Sequence, residues 1–182
     1  MTELDTGPRA DLEALEQVWD AHTAAEFVTT DLDATMATMS ENPVVLHVAT
    51  SVGACGREAV RRFYAEYFIG HQAADMSLER TSRTVTADRV VDEMIISFTH
   101  DVEIPWIMPG VAPTGRRVVV GIVTVIGMSQ GLVDSEHIYW DQASVLAQVG
   151  LLEPTGLPVV GAEQVLPLGR GAGPETFNAL LS

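Results

Sequence analysis

Ser135–Ser144 reads SEHIYWDQAS and puts Glu136, His137 and Asp141 in one six-residue window, with Tyr139 between them. Ile138, Tyr139 and Trp140 favour a strand, and strand side chains alternate between faces. His137, Tyr139 and Asp141 therefore share one face, and Glu136, Ile138 and Trp140 the other. An imidazole, a phenol and a carboxylate in a row form either a solvated face or the wall of a reactive pocket. A second row lies in IISFTHDVEI. There His100 is the one ionisable group among Ile96, Phe98, Val102 and Ile104, while Asp101 and Glu103 fall on the opposite, outward face unless a bulge exchanges the two. If the two rows converge, His100 and Asp141 form an imidazole–carboxylate pair. The carboxylate favours the protonated ring and burial opposes it, a balance suited to proton transfer near neutral pH. His22, three residues after Trp19 and four before Glu26, and His47 in VVLHVAT are further pocket-lining candidates. His71 follows Gly70 at a helix end, where a cation suits the dipole.

The elements that must position these groups follow from periodicity. Residues 9–28 carry Leu12, Leu15, Val18, Trp19 and Phe27 near helical spacing. Asp31 can cap a short helix over LDATMATM, which Asn42-Pro43 ends. PVVLHVAT is a strand from about residue 44 to 49 and SVGACG a loop. REAVRRFYAEYFIG is a third helix, with Val60, Phe63, Tyr64, Tyr67 and Phe68 as its buried stripe and Gly70 as its stop. Four strands follow, LERTSRTVTA, VVDEMIISFTHDVEI, RRVVVGIVTVIGM and LVDSEHIYWDQA, with the Pro/Gly loop PWIMPGVAPTG after the second. SVLAQVGLL closes as a short helix. Helices followed by a strand meander make an α+β pattern, with the helices on one face of an antiparallel sheet. From Glu153 the tail is rich in Pro and Gly, yet it carries Val159, Val160, Val165, Leu166, Leu168, Phe177, Leu180 and Leu181. It is expected to be extended and docked on a surface.

The chain has 182 residues, 47% of them hydrophobic, which suits one domain with a sizeable core. The net charge of −15 argues against nucleic acid, whose phosphates need a basic patch, and against an anionic membrane surface. It suits solubility. The single cysteine, Cys55, cannot form an internal disulfide, which fits a reducing cytoplasm. The acidic start, MTELDTGPRADLEAL, lacks the apolar segment of a signal peptide. The longest apolar stretch, VVVGIVTVIG, is about half the ~20 residues of a membrane span. There is no HExxH, paired CxxC or acidic calcium loop, and His100, His137 and Asp141 would make a facial triad only on convergence. No metal is expected. A strand-linked GxGxxG and a GxSxG elbow are absent, and PLGRGAGP lacks the strand–helix context of a phosphate loop.

VWDAHTAAEF, SRTVTADRVVDEMIISFTHDVEIPW, MPGVAPTGRRV and EHIYWDQASVLAQVGLL together resemble the nuclear transport factor 2-like superfamily. The branch is the SnoaL-like, polyketide cyclase-like proteins, over roughly residues 10–155, and GLPVVGAEQ resembles the tail of this subgroup. The resemblance implies a cone-shaped α+β barrel, with three N-terminal helices packed in a strongly curved, mainly antiparallel sheet. Residues 1–155 would form that domain, and 156–182 a tail docking on it or on a dimer partner. It further implies a deep apolar pocket, homodimers formed through the sheet and no cofactor. Enzymes of this kind include polyketide cyclases, ketosteroid isomerases and limonene epoxide hydrolases. Asp141 matches the carboxylate of the cyclases and epoxide hydrolases. Thr99-His100-Asp101 stands where the epoxide hydrolase has Arg-x-Asp, without the arginine, and Trp19 and His22 stand where the isomerase oxyanion tyrosine would be sought.

The expectation is therefore an acid/base enzyme for a small hydrophobic carbonyl compound, catalysing aldol cyclisation, isomerisation or hydration. Asp141 is the principal acid/base and His100 its relay, with Tyr139 and His137 bonding a developing oxyanion. Trp19, His22, His47, Phe63, Phe98, Trp106 and Met108 line the pocket. The alternatives are a non-catalytic ligand-binding or protein-interaction module, or an epoxide hydrolase-like enzyme. Glu136 is expected on the outer face or at a dimer interface.

Overall fold

The computed structural model describes residues 8–168 together with 177 and 180. Helix α1 spans Pro8–Phe27 and α2 Leu32–Ala37, with the Asp31 carboxylate accepting from the Ala34 amide as the expected cap. Strands β1 (Met39–His47) and β2 (Val52–Cys55) form a hairpin. The segment expected to be a loop is thus a short edge strand. Helix α3 covers Arg57–Phe63 and runs into a π-helical turn over Tyr64–Phe68. β3 (Ser77–Thr86), β4 (Arg89–Thr99), β5 (Arg117–Ser129) and β6 (Leu132–Trp140) form the antiparallel meander. α4 (Gln142–Gln148) follows.

The six strands lie in the order β2-β1-β6-β5-β4-β3 in a curved sheet that does not close, with β1 parallel to β6. One face is aliphatic and buried: Val90, Met94, Ile96 and Phe98 of β4 and Val118, Val120, Ile122 and Ile126 of β5. The alternation expected for β4 holds through His100. Val102 is exposed because the strand ends at Thr99 and the chain turns away. The helices pack into this concave face, α1 through Leu15, Trp19, His22 and Ala25, α3 and its π turn through Val60, Phe63, Tyr64 and Phe68. Tyr67, expected in that buried stripe, is 48% exposed, because the π turn re-phases the helix after Phe63.

In the tail, Ala162–Leu168 forms a 3₁₀ turn lying on β5, where Gly121 leaves room for Leu168. Val165 is buried there while Leu166 is exposed. Leu181 lies outside the described residues. Among the described residues no helix is long and apolar enough to cross a membrane.

Candidate functional site

A bulge decides which side chains of β6 reach the interior. Pairing runs Ser129↔Leu132 and Met128↔Val133, then slips to Gly127↔Ser135 and Ile126↔Glu136. The extra residue flips the phase of the strand. Val133 points inward before the bulge, and Glu136 and Ile138 point inward after it. Glu136 is 3% exposed and Tyr139 43% exposed. This corrects the expected pocket wall. His137 is half-buried on the convex face beside Tyr139, and Asp141 is an exposed N-cap whose carboxylate accepts from the Ala143 and Ser144 amides. His100 is buried, but its Nδ1 faces Thr114, with Oγ1 at 3.1 Å and the Thr114 amide donating to it at 3.3 Å. Burial holds its pKa below the usual value, against the pull of Asp101. His100 and Asp141 do not form the expected pair. Asp101 and Glu103 are exposed, as expected.

The interior instead gathers a cluster from three elements. His22 and Glu26 sit one helical turn apart on α1 and so share a face. Tyr64 comes from the π turn and Glu136 from β6. His22 Nε2 lies 3.2 Å from Glu26 Oε1 and 3.2 Å from Glu136 Oε1, and 3.3 Å from the Tyr64 hydroxyl. The Tyr64 hydroxyl donates to Glu136 Oε1 at 2.8 Å. On the other side of the ring, His22 Nδ1 meets Thr38 Oγ1 at 2.6 Å. That hydroxyl already donates to the Thr35 carbonyl, so it accepts here and Nδ1 carries a proton. Burial opposes a charge on His22, but the two carboxylates override it and push its pKa up to about 10. His22 is an imidazolium at neutral pH. Burial drives Glu136 toward the neutral acid, yet His22 and the Tyr64 donor hold it below the usual carboxylate range. Glu26 moves the other way: burial and the neighbouring Glu136 raise its pKa, and His22 offsets them only in part. Burial and both carboxylates raise the Tyr64 phenol well above its ordinary value, so it stays a donor.

Glu26, Glu136 and Tyr64 of this cluster line a cavity of about 40 Å³, together with Trp19, His47, Trp106, Met94 and Ile122 among others. Trp19 stacks on His22 with ring centroids 5.3 Å apart, and its indole donates to Asp92 at 2.9 Å. Asp92 is itself held by a two-point pair to Arg83 at 2.6 Å, which fixes the Trp19 ring. His47 donates Nδ1–H to the Val52 carbonyl at 3.3 Å, leaving Nε2 as a lone-pair nitrogen. Burial pulls its pKa to about 4 against the attraction of Glu136, so this ring is neutral. Phe63 packs on His47 and lines a separate open cleft of about 740 Å³ on the outer side.

Of the expected lining residues, Trp19, His47 and Trp106 border the inner cavity and His22 stands directly behind its carboxylates. Phe98 and Met108 are core residues that do not border it. The residues missed were Glu26, Glu136 and Tyr64. A signal for Glu136 was present: it is the lone ionisable group beside Ile138 and Trp140, the pattern that singled out His100. His22, Glu26 and Glu136 could also ligate a divalent ion, since one donor atom from each lies within 4.8 Å of the others. Binding would require His22 to release its proton.

A family model described as a SnoaL-like domain matches residues 15–135. No curated protein sequence matches. Among solved structures, a putative SnoaL-like polyketide cyclase from Jannaschia sp. CCS1 is 21% identical, with 82% of this chain and 99% of that chain covered at a TM-score of 0.61. AclR, a putative hydroxylase from Streptomyces galilaeus, is 21% identical over 78% of this chain and 88% of that chain, at a TM-score of 0.59. SalBIII, an epoxide hydrolase/cyclase-like enzyme of pyran ring formation in the polyether salinomycin, is 18% identical over 71% and 91% of the two chains, at a TM-score of 0.52. These likenesses establish a shared fold.

Proposed function

The chain belongs to the SnoaL-like family, and from that premise we propose that it is a cofactor-independent acid/base enzyme acting on a small hydrophobic carbonyl-type substrate, by aldol cyclisation, isomerisation or hydration. The observation that carries this reading is the pair of carboxylates with opposite proton affinities facing a mainly apolar cavity. Two titratable groups whose environments push them apart supply an acid/base division of labour. Glu26, with its affinity raised, takes and returns the substrate proton. Glu136 stays ionised and holds the His22 imidazolium and the Tyr64 donor in place. The apolar walls exclude water, which strengthens each of these interactions. The cyclase names carried by structural neighbours are consistent with this chemistry. The reading includes a homodimer joined through the convex face of the sheet.

The test needs no known substrate. Removing a proton α to a carbonyl exchanges it with solvent, so deuterium uptake by a panel of cyclic ketones in D₂O, followed by NMR, reports the step directly. The wild-type protein is expected to accelerate exchange for at least one ketone, and Glu26→Gln to slow it by about 100-fold, at the lower end of what a general base supplies. Ketones that bind but exchange no faster than in buffer would remove the enzymatic reading. They would favour a non-catalytic binding module. Epoxide opening by an Arg-x-Asp pair has no counterpart here, because Asp101 is exposed.

A further inference from the structure

The inner row of β5 is Val118, Val120, Ile122, Thr124 and Ile126. Thr124 breaks an aliphatic run. Its Oγ1 is buried and has no hydrogen-bond partner among the described residues. It borders the cavity that Glu26 and Glu136 line. In the register, Thr124 lies opposite Ile138 while the next inward pair is Ile126 and Glu136. Thr124 and Glu136 are thus diagonal neighbours on one face, with Cα atoms ~7–8 Å apart in an ordinary sheet.

A second residue with an unpaired polar group lines the same cavity: Trp106, 2% exposed, whose Nε1 has no hydrogen-bond partner among the described residues. The Trp106 ring is clamped against Phe68 and His47, with centroids 5.0 and 5.2 Å away. By contrast, the Trp19 indole and the Tyr64 phenol on this cavity are both partnered. A buried polar hydrogen without a partner costs ~1–3 kcal/mol. Valine would fill the Thr124 site and phenylalanine much of the Trp106 site without that cost. Two such costs at one cavity point to a ligand that removes them. An indole N–H only donates, so the group that meets Trp106 is an acceptor.

We propose that Thr124 and Trp106 are the substrate-oxygen contacts of this site, and that its ligand is a compact, neutral, mainly apolar molecule carrying two oxygen acceptors, such as a dicarbonyl or hydroxyketone. The Thr124 hydroxyl donates to one oxygen, and the Trp106 indole donates to the second. The inference deepens the acid/base reading and rests on it for the reaction, but the recognition it describes can be measured without turnover. At about 40 Å³ the cavity admits only a small part of such a molecule, so binding requires the wall to yield, and Met94, an unbranched side chain on it, is the residue best able to shift.

The experiment uses 1,4-cyclohexanedione, cyclohexanone and cyclohexane, one ring with two, one and no oxygens, titrated by methyl NMR of Ile122 and Ile138. Thr124→Val and Trp106→Phe are each expected to weaken the dione at least fivefold and to leave cyclohexane within twofold. Thr124→Val is also expected to keep or raise the melting temperature, since it deletes an unpaired hydroxyl. Equal losses for dione and cyclohexane would mean a packing effect and overturn the proposal. So would unchanged dione affinity, a clear fall in the Thr124→Val melting temperature, or a wild-type protein that binds none of the three. Glu26→Gln separates the two readings: it should retain the dione preference while losing deuterium exchange. A dione preference in a protein that exchanges nothing would leave the oxygen contacts standing and remove the enzyme.

Discussion

His22 and His47 lie near the same two carboxylates and take opposite charge states. His22 has both ring nitrogens engaged and two carboxylates on Nε2. His47 gives Nδ1 to a backbone carbonyl and is otherwise packed among aromatic rings. Their titration predicts the shape of the stability curve. Between pH 4 and 6.5 the unfolded chain protonates His47 and the native state does not, so stability is lost as pH falls through that window. Between pH 6.5 and 10 the native state keeps the His22 proton and the unfolded chain does not, so stability is lost as pH rises. The two rings thus make stability fall on both the acid and the alkaline side of pH 6.5, and Glu26, whose raised proton affinity works the other way, blunts the acid limb. Urea denaturation from pH 5 to 9 measures both limbs. His47→Phe should flatten the acid limb alone, and a variant that leaves it unchanged contradicts the assignment.

At the scale of elements, β6 and the start of α4 divide their work in a way that mutations can separate. Asp141 caps α4 through two backbone amides. Asp141→Ala is expected to cost ~1 kcal/mol of stability and to leave deuterium exchange within about twofold of wild type. A large loss of exchange with little change in melting would return Asp141 to the chemistry. At the bulge that turns Glu136 inward, a Cβ on Gly127 would meet the Ser135 hydroxyl. Gly127→Ala should cost ~1–3 kcal/mol, the usual cost of overpacking, and slow exchange by displacing Glu136. Ser135→Ala added to it should restore much of both, and failure of that rescue counts against the bulge as the positioning device. These elements also show what was legible in the sequence. Alternation and helical spacing are local properties, so the helices, the meander and the two faces of each strand were readable. Which face of β6 is inside depends on pairing with β5, a non-local contact. Counting inward by twos from Val133 selects His137, Tyr139 and Asp141, and the bulge makes that count wrong. Glu26 and Tyr64 were hidden differently: each lies on a correctly read helix, but their meeting with Glu136 exists only once the sheet curves around α1 and the π turn.

At the scale of the whole molecule, the concave face is filled by the helices, while the convex face carries the Ala162–Leu168 turn at Gly121 and an aliphatic strip beside it. Val91, Ile95, Val123 and Val125 are half-buried there, next to the exposed Tyr139. An aliphatic sheet surface of this kind on a chain of charge −15 suits a self-complementary contact, the residual repulsion being screened within ~8 Å at physiological salt. Sedimentation is expected to show a dimer for the wild type and a monomer for Val123→Glu, with the far-UV spectrum unchanged. A wild-type monomer at tens of micromolar refutes the proposed assembly. Since the cluster of His22, Glu26 and Glu136 lies on the opposite face, the monomeric variant should retain deuterium exchange.

The slipped pairing in β6 has a consequence for how the gene can change length. Val133 and Glu136 both face inward although three positions separate them, so the stretch Asp134–Ser135 holds one residue more than simple alternation needs. Losing one codon there leaves both residues inward and replaces the bulge with a plain ladder. Gaining or losing one codon between Glu136 and Ile138 instead turns either the carboxylate or Ile138 outward. The strand therefore has a spare position next to its most sensitive residue, and a single-codon deletion should be tolerated at Asp134, two residues before Glu136, and disruptive to the site at His137, one residue after it.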